Sequence, residues 1–251
     1  MKMKNKFNLP SLILTLVLIM IWECAALGIN AAYILPTPVQ VLRKLWELRV
    51  PLFTVHLPAT MGVTLLGLII SVVLGVALAV IMDSFPKAEK ALYPIIIASQ
   101  TIPTTAIAPL FILWFGYSIW SKVLVTILMT FFPITITVFD GFKSSKREME
   151  EMIITYGATK KDVFFTLKLP TALPNFFSAI KMSVPLSVIG AAIAEWLGAQ
   201  SGLGYFSKRM MTQLDGAGVF APIVLLSAVA MLAVAIINIF EKRIITWRKE
   251  L

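Results

Sequence analysis

Six apolar runs, at about residues 9–29, 59–82, 92–115, 118–139, 177–198 and 219–240, leave this chain one solvent in which to fold. Each can cross a hydrocarbon core of roughly 30 Å as a helix of about 20 residues. In lipid every backbone N–H and C=O must be satisfied within the structure, so such spans are helical and the fold class is all-α, a polytopic membrane protein of about six transmembrane helices. With 59% hydrophobic and 14% charged residues in 251, and a mean hydropathy of +0.88, little remains for a soluble domain. The chain reads as one transmembrane domain over 1–251, with core helices at about 59–240 and one large polar insert at 140–176.

An even number of spans puts both ends on one side, and the basic residues say which. Lys and Arg number three at the N-terminus, two in the 83–91 loop, six in the 140–176 loop and four at the C-terminus, fifteen in all. The opposite side has six, Arg43, Lys44, Arg49, Lys122, Lys208 and Arg209, and Lys181 lies near the start of the fifth span. The positive-inside bias therefore makes both termini and the 140–176 loop cytoplasmic. The first apolar run is too long for a signal-peptide core, and Trp22 and Glu23 before Cys24 do not suit lipoprotein cleavage, so the segment is read as a retained span.

The net charge of +9 is scattered between apolar runs, the pattern of membrane-helix flanks, and no nucleic-acid partner is expected. Cys24 is the only cysteine and His56 the only histidine, which leaves no intrachain disulfide and no cysteine metal site, and argues against a metal role for the lone His56. Cys24 is read as a packing residue. No G-x-x-x-x-G-K-[ST], H-E-x-x-H or G-x-S-x-G occurs, so the chain is read as no enzyme and as holding no cofactor. The glycine-rich "SGLGY" at 201–205 follows an apolar helix rather than a strand, which argues against a phosphate cradle.

Several runs carry further detail. "YPIIIASQTIPTTAIAPLFILWFG" contains Pro94, Pro103 and Pro109, each lacking a backbone donor. Two readings stand: a helix lining a translocation path through Gln100, Thr101, Thr104 and Thr105, or a kinked packing helix. In the second run Gly67, Ser71 and Gly75 recur every four residues, placing small side chains on one face for close helix packing. Residues 31–57 form a proline-started amphipathic segment on the outer side, at the interface. Trp22, Trp114, Trp120 and Trp196 near span ends are read as interfacial anchors.

Within the polar insert, Ser145 with Glu148 and Thr159 with Asp162 form two capping-box patterns. They predict a helix over about 146–156 closed by Gly157, then a second from about 160 that stops before Pro170. Met149, Met152, Ile153, Phe164 and Phe165 on this charged hairpin need burial, which suits a protein partner better than a solvated connector.

At these residues the chain resembles the transmembrane permeases of ABC importers, whose cytoplasmic signature is Glu-Ala-Ala, three residues, Gly, nine residues, Ile, any residue, Leu-Pro. Glu151-Met152-Ile153 stands at the triplet, Gly157 at the glycine, Leu167 at the isoleucine and Leu169-Pro170 at the end, with Met-Ile replacing Ala-Ala. "ILPTPVQVLRKLWEL", "SQTIPTTAIAPLFILWFG" and "AEWLGAQSGLGYF" resemble the branch that carries nitrate, sulfonate, taurine and thiamine-precursor pyrimidines.

The resemblance implies a bacterial inner-membrane permease subunit importing a small solute by alternating access. It implies pairing of two six-helix subunits, as a homodimer or a heterodimer with the homodimer the simpler arrangement, a cytoplasmic ATP-binding cassette ATPase subunit that hydrolyses the ATP, and an extracytoplasmic substrate-binding protein. The ATPase-coupling surface it assigns is Glu151, Gly157, Ala158, Asp162, Leu167, Leu169 and Pro170. Gln100, Thr101, Pro103, Thr104 and Glu195 are the candidates for the translocation path. Glu195 and Glu23 lie in or near apolar runs, where a charge is costly. Glu195 is read either as a gate or hydrogen-bond partner or as an interfacial residue reaching water. The alternatives to an importer subunit are a self-sufficient secondary transporter, against which stands the lack of a visible repeat or midplane charge cluster, and a structural membrane protein.

Overall fold

The computed structural model describes residues 9–247, so Lys2, Lys4, Lys6, Arg248 and Lys249, which enter the charge count above, lie outside the described residues. Helices account for almost all of the rest. They are α1 (Leu9–Ile29), α2 (Pro38–Glu47), α3 (Arg49–Ser84), α4 (Pro86–Ser99) and α5 (Thr104–Phe115). There follow α6 (Ile119–Lys143), α7 (Arg147–Thr155), α8 (Lys160–Gly198), α9 (Leu203–Thr212) and α10 (Gly216–Ile244). Five of these are long and apolar enough to cross a membrane, and α4 with α5 passes the same test only as a pair, bent by 95° at the break between them.

Two of these boundaries differ from the expectation. The third apolar run is not one kinked helix but two, broken at residues 100–103, where Pro103 leaves the helix and starts the next one in extended conformation (φ −62°, ψ 117°). The helix expected to stop before Pro170 instead runs on through Pro170, Pro174 and Pro185 to Gly198. At Pro170 the helix is accommodated by a π-helical turn at Phe164–Lys168, in which the Leu169 N–H donates to the Phe164 carbonyl five residues back, while Pro174 and Pro185 sit within regular α-helix. An interior proline lacks a donor and presses its ring on the carbonyl four residues earlier; a widened turn relieves the crowding. The same device occurs in α3, where a π turn at Leu52–His56 precedes Pro58 and the Leu57 N–H donates to the Leu52 carbonyl.

The core is the bundle of α3, α6 and α8, with α4 laid against it. Ala79 and Met82 of α3, Ile134, Val138, Phe139 and Phe142 of α6, and Ala172 and Ala179 of α8 form its largest buried cluster. The small-residue face of α3 packs on α6 as expected. A Cβ at Gly67 would lie 2.5 Å from Thr126 Cγ2, and one at Gly75 would lie 2.8 Å from Ile134 Cγ2. Between these glycines the Ser71 and Thr130 hydroxyls share a hydrogen bond of 2.6 Å. With lipid outside, such packing and about 0.6 kcal/mol per interhelical hydrogen bond hold helices together, rather than exclusion from water.

The periphery is looser. On α1 only Ala26 is buried, and Cys24 is exposed rather than packed. Trp22 is a half-buried tether: its Nε1–H donates to the Pro36 carbonyl at 3.0 Å and its ring lies 5.7 Å from Phe220. Helix α2 begins with the capping box of Thr37 and Gln40, with Pro38 in its first turn. Lys44 of α2 reaches Asp215, the N-cap of α10, at 2.8 Å, and Asp215 also accepts the Gly218 N–H at 2.9 Å. The hydrogen bond to Asp215 raises the Lys44 pKa above 10.5. Burial pushes the Asp215 carboxyl up, but Lys44 and the Gly218 N–H outweigh it and hold the carboxyl below 3.8.

Candidate coupling hairpin and translocation groove

The polar insert folds as a helical hairpin on the end of the bundle. Helix α7 closes on Gly157, whose φ of +91° is a conformation that side-chain-bearing residues rarely adopt, and Gly157 N–H donates to the Ile154 carbonyl at 2.9 Å. Helix α8 opens on the expected capping box: the Asp162 N–H donates to Thr159 Oγ1 and the Thr159 N–H to Asp162 Oδ2. The other box does not form. Ser145 Oγ donates to the Phe142 carbonyl at 3.1 Å and contacts Glu150, so α7 starts after Lys146 with no side-chain cap.

The hairpin is fixed unevenly. Val163 is buried and Phe164 packs on Phe142 at 5.4 Å, which anchors α8, whereas α7 buries no residue. Lys168 Nζ lies 2.9 and 3.1 Å from the two oxygens of Asp83 at the end of α3, and 3.8 Å from Glu150 of α7. Asp83 is 5% exposed and Lys168 18%, so this pair is largely desolvated. Removing one partner of a fully buried pair costs about 3–5 kcal/mol and an exposed pair such as Arg147 with Glu151 at 2.8 Å contributes a few tenths; the part-buried Lys168 and Asp83 pair lies between these limits.

Between the helices and α3 lies a groove of about 520 Å³ lined by Val80, Asp83, Glu150, Ile154, Phe164 and Phe165 among others. Met149, Met152, Ile154, Tyr156 and Phe165 present apolar surface outward, at 86% exposure for Tyr156 and 64% for Phe165. Of the residues expected on this surface, Glu151, Gly157, Asp162 and Leu169 are exposed, while Ala158, Leu167 and Pro170 are half-buried.

The break between α4 and α5 opens a second groove of about 360 Å³, lined by Ser99, Gln100, Pro103, Thr104, Met129 and Leu186 among others. Irregular backbone at membrane depth persists only where protein or a water-filled cavity meets its polar groups. Gln100, Pro103 and Thr104 therefore lie together on a groove wall. Thr101 is exposed and its hydroxyl bonds the Ala98 carbonyl at 2.7 Å.

Glu195 is elsewhere, and it does not reach water. It is 1% exposed and sits at the N-terminus of α9, which has no side-chain cap of its own. The first N–H groups of a helix lack intrahelical acceptors. Here three in a row are met by side chains from other helices: Gly202 N–H donates to His56 Nδ1 at 3.1 Å, Leu203 N–H to Thr60 Oγ1 at 2.8 Å, and Gly204 N–H to Glu195 Oε2 at 2.8 Å. Because Nδ1 accepts, the ring proton of a neutral His56 is on Nε2. A Cβ on Gly202 would overlap the Glu195 carboxylate, and one on Gly204 would overlap the Ala192 carbonyl. The "SGLGY" glycines thus let a helix end approach its caps, and His56, Thr60, Gly202 and Gly204 are site residues that sequence reasoning missed. Glu23 is half-buried on α1, apart from this cluster.

With this geometry, residues 71–246 match the family described as binding-protein-dependent transport system inner membrane component. The chain belongs to that family. The permease is 52% identical over 235 residues, 94% of each chain, to the formylaminopyrimidine transport permease protein ThiX of Halalkalibacterium halodurans. It is 31% identical to the riboflavin transport system permease protein RibX of Chloroflexus aurantiacus, covering 97% of this chain and 92% of the relative. Its fold is shared with a solved amino acid ABC transporter crystallised with histidines, at a TM-score of 0.61 and 16% identity over 79% of this chain and 94% of the other. The expected membership of the ABC importer permeases holds, and this is a transmembrane importer subunit of the inner membrane.

Proposed function

We propose that two copies of this permease form the translocation path of an ATP-driven importer, with each 140–176 hairpin seated on a cytoplasmic ATPase subunit. The observation that carries this reading is the hairpin itself: an apolar, solvent-facing tip on α7 and α8, mounted on the α3, α6 and α8 bundle. The excess of Lys and Arg on that side supports its cytoplasmic placement. A partner that brings two such hairpins together shifts the permease between inward-open and outward-open states, with solute delivered on the far side by a binding protein.

The solute we assign is a thiamine-precursor pyrimidine, supported by 52% identity to a formylaminopyrimidine permease along nearly the whole chain. The groove at the break offers the Gln100 amide and the Ser99 and Thr104 hydroxyls among apolar side chains, groups able to hydrogen-bond a small polar ring. The test is uptake of labelled formylaminopyrimidine into proteoliposomes holding the permease, its ATPase and its binding protein. Uptake that needs ATP and all three components is expected; uptake driven by an ion gradient with the permease alone would overturn the reading.

A further inference from the structure

We propose that Lys168 is a positioning residue for transport, a strut that makes the hairpin and α3 move as one body. Helix α7 has no fully buried residue, and Ile153 alone of its apolar side chains is half-buried, so apolar packing holds it only weakly. Its tether is polar. A single ammonium, Lys168 Nζ, lies 2.9 and 3.1 Å from the Asp83 oxygens on the last turn of α3 and 3.8 Å from Glu150 on α7. Glu150 also contacts Ser145 at the end of α6, so α3, α6, α7 and α8 meet through these four side chains. The parallel pair Lys143 with Glu89, at 2.8 Å, is 48% and 33% exposed and is correspondingly weak.

The backbone is shaped to deliver this contact. Lys168 is the last residue of the π turn, immediately before Leu169-Pro170. Each residue advances a helix by about 100°, so an ordinary α-turn there would swing Lys168 off the line to Asp83. The π turn thus stands directly before Leu169-Pro170 and carries the lysine that ties α7 to α3. A force applied to the hairpin tip then reaches α3, and through the Gly67, Ser71 and Gly75 face it reaches α6.

This inference rests on the importer reading, but its test separates the two. Hydrogen exchange of the 147–155 amides is measured on the purified full-length permease, and uptake per ATP hydrolysed on the complete complex, for the parent, Lys168→Met, Lys168→Arg and Asp83→Asn/Lys168→Met. The expected result is at least tenfold faster exchange across 147–155 in Lys168→Met, near-parental exchange in Lys168→Arg, and about tenfold less uptake per ATP at unchanged ATPase retention. If Lys168→Met does not accumulate, the double variant, which leaves no buried charge unpaired, gives the same readouts. Unchanged exchange in α7 overturns the strut whether or not an ATPase binds. Faster exchange with parental uptake per ATP overturns its part in transport, and a parent that retains no ATPase overturns the importer reading while the exchange result still decides the strut.

Discussion

The Glu195 carboxylate occupies the space that a Cβ on Gly202 would fill, and it takes the N–H of Gly204 at 2.8 Å. This relationship fixes how α9 joins the bundle. Gly202→Ala meets both a φ of +120° and the carboxylate, so it is expected to lower stability by about 2 kcal/mol or more. Glu195→Gln keeps an acceptor for Gly204, whereas Glu195→Ala leaves a buried donor unpaired and costs about 1–3 kcal/mol. Thermal unfolding in detergent should rank the variants parent, Glu195→Gln, Glu195→Ala, and the reverse order for the last two would refute the capping role.

Gly157 tests the hairpin turn separately from packing. A Cβ there meets nothing within 4 Å, so the cost of substitution is backbone strain at φ +91° alone. Gly157→Val is expected to accumulate normally yet lose most uptake, because a β-branched residue forces the turn to open. Gly157→Asn, which tolerates positive φ better, should keep more. Equal, parental uptake by both would show that the turn geometry is dispensable.

Two glycines of α3 form an internal control. At Gly62 an added Cβ meets nothing within 4 Å, while at Gly67 it meets Thr126 Cγ2 at 2.5 Å. Gly67→Ala should destabilise by about 1–3 kcal/mol through overpacking. Gly62→Ala should be neutral or stabilising by up to about 1 kcal/mol, since Gly is the poorer helix former. Melting temperatures that moved alike would contradict the close approach of α3 and α6.

The Lys44 and Asp215 pair predicts a pH window. A carboxyl depressed below 3.8 contributes stability that is present above that value and lost as pH falls through the lower native pKa. An ammonium raised above 10.5 contributes stability present below that value and lost as pH rises through the higher native pKa. The pair is therefore constant across neutral pH. Asn is as good an N-cap as Asp, so Asp215→Asn removes only the ion pair, and its stability gap from the parent should close as pH is taken below about 3.8. A gap independent of pH down to 3 would mean that the pair adds nothing.

How much of this was legible in the sequence depends on how local each cause is. The existence of the apolar helices, Gly157 and the Thr159 and Asp162 box are set by neighbours within a few residues and stand where the pattern placed them, whereas the third run splits into two helices at 100–103. The continuity of α8 through Pro170 was hidden, because proline reads as a stop unless a widened turn absorbs it. The Ser145 box failed because that hydroxyl found the Phe142 carbonyl and Glu150 instead. The cluster of His56, Thr60, Glu195 and Gly202 joins residues as far as 146 positions apart, and no periodicity carries that. Its one local trace is a helix that opens on Gly202-Leu203-Gly204 without a side-chain cap, which implies acceptors brought from elsewhere.

The most direct test of the hairpin as the ATPase seat is an affinity pull-down of the tagged permease from detergent-solubilised native membranes, beside Phe165→Asp. Phe165 is 64% exposed, so a charge there leaves the fold intact while spoiling an apolar contact. An ATPase subunit retained by the parent and lost by the variant is the predicted result. A parent that retains no ATPase, or a variant that retains it fully, would contradict the hairpin's role.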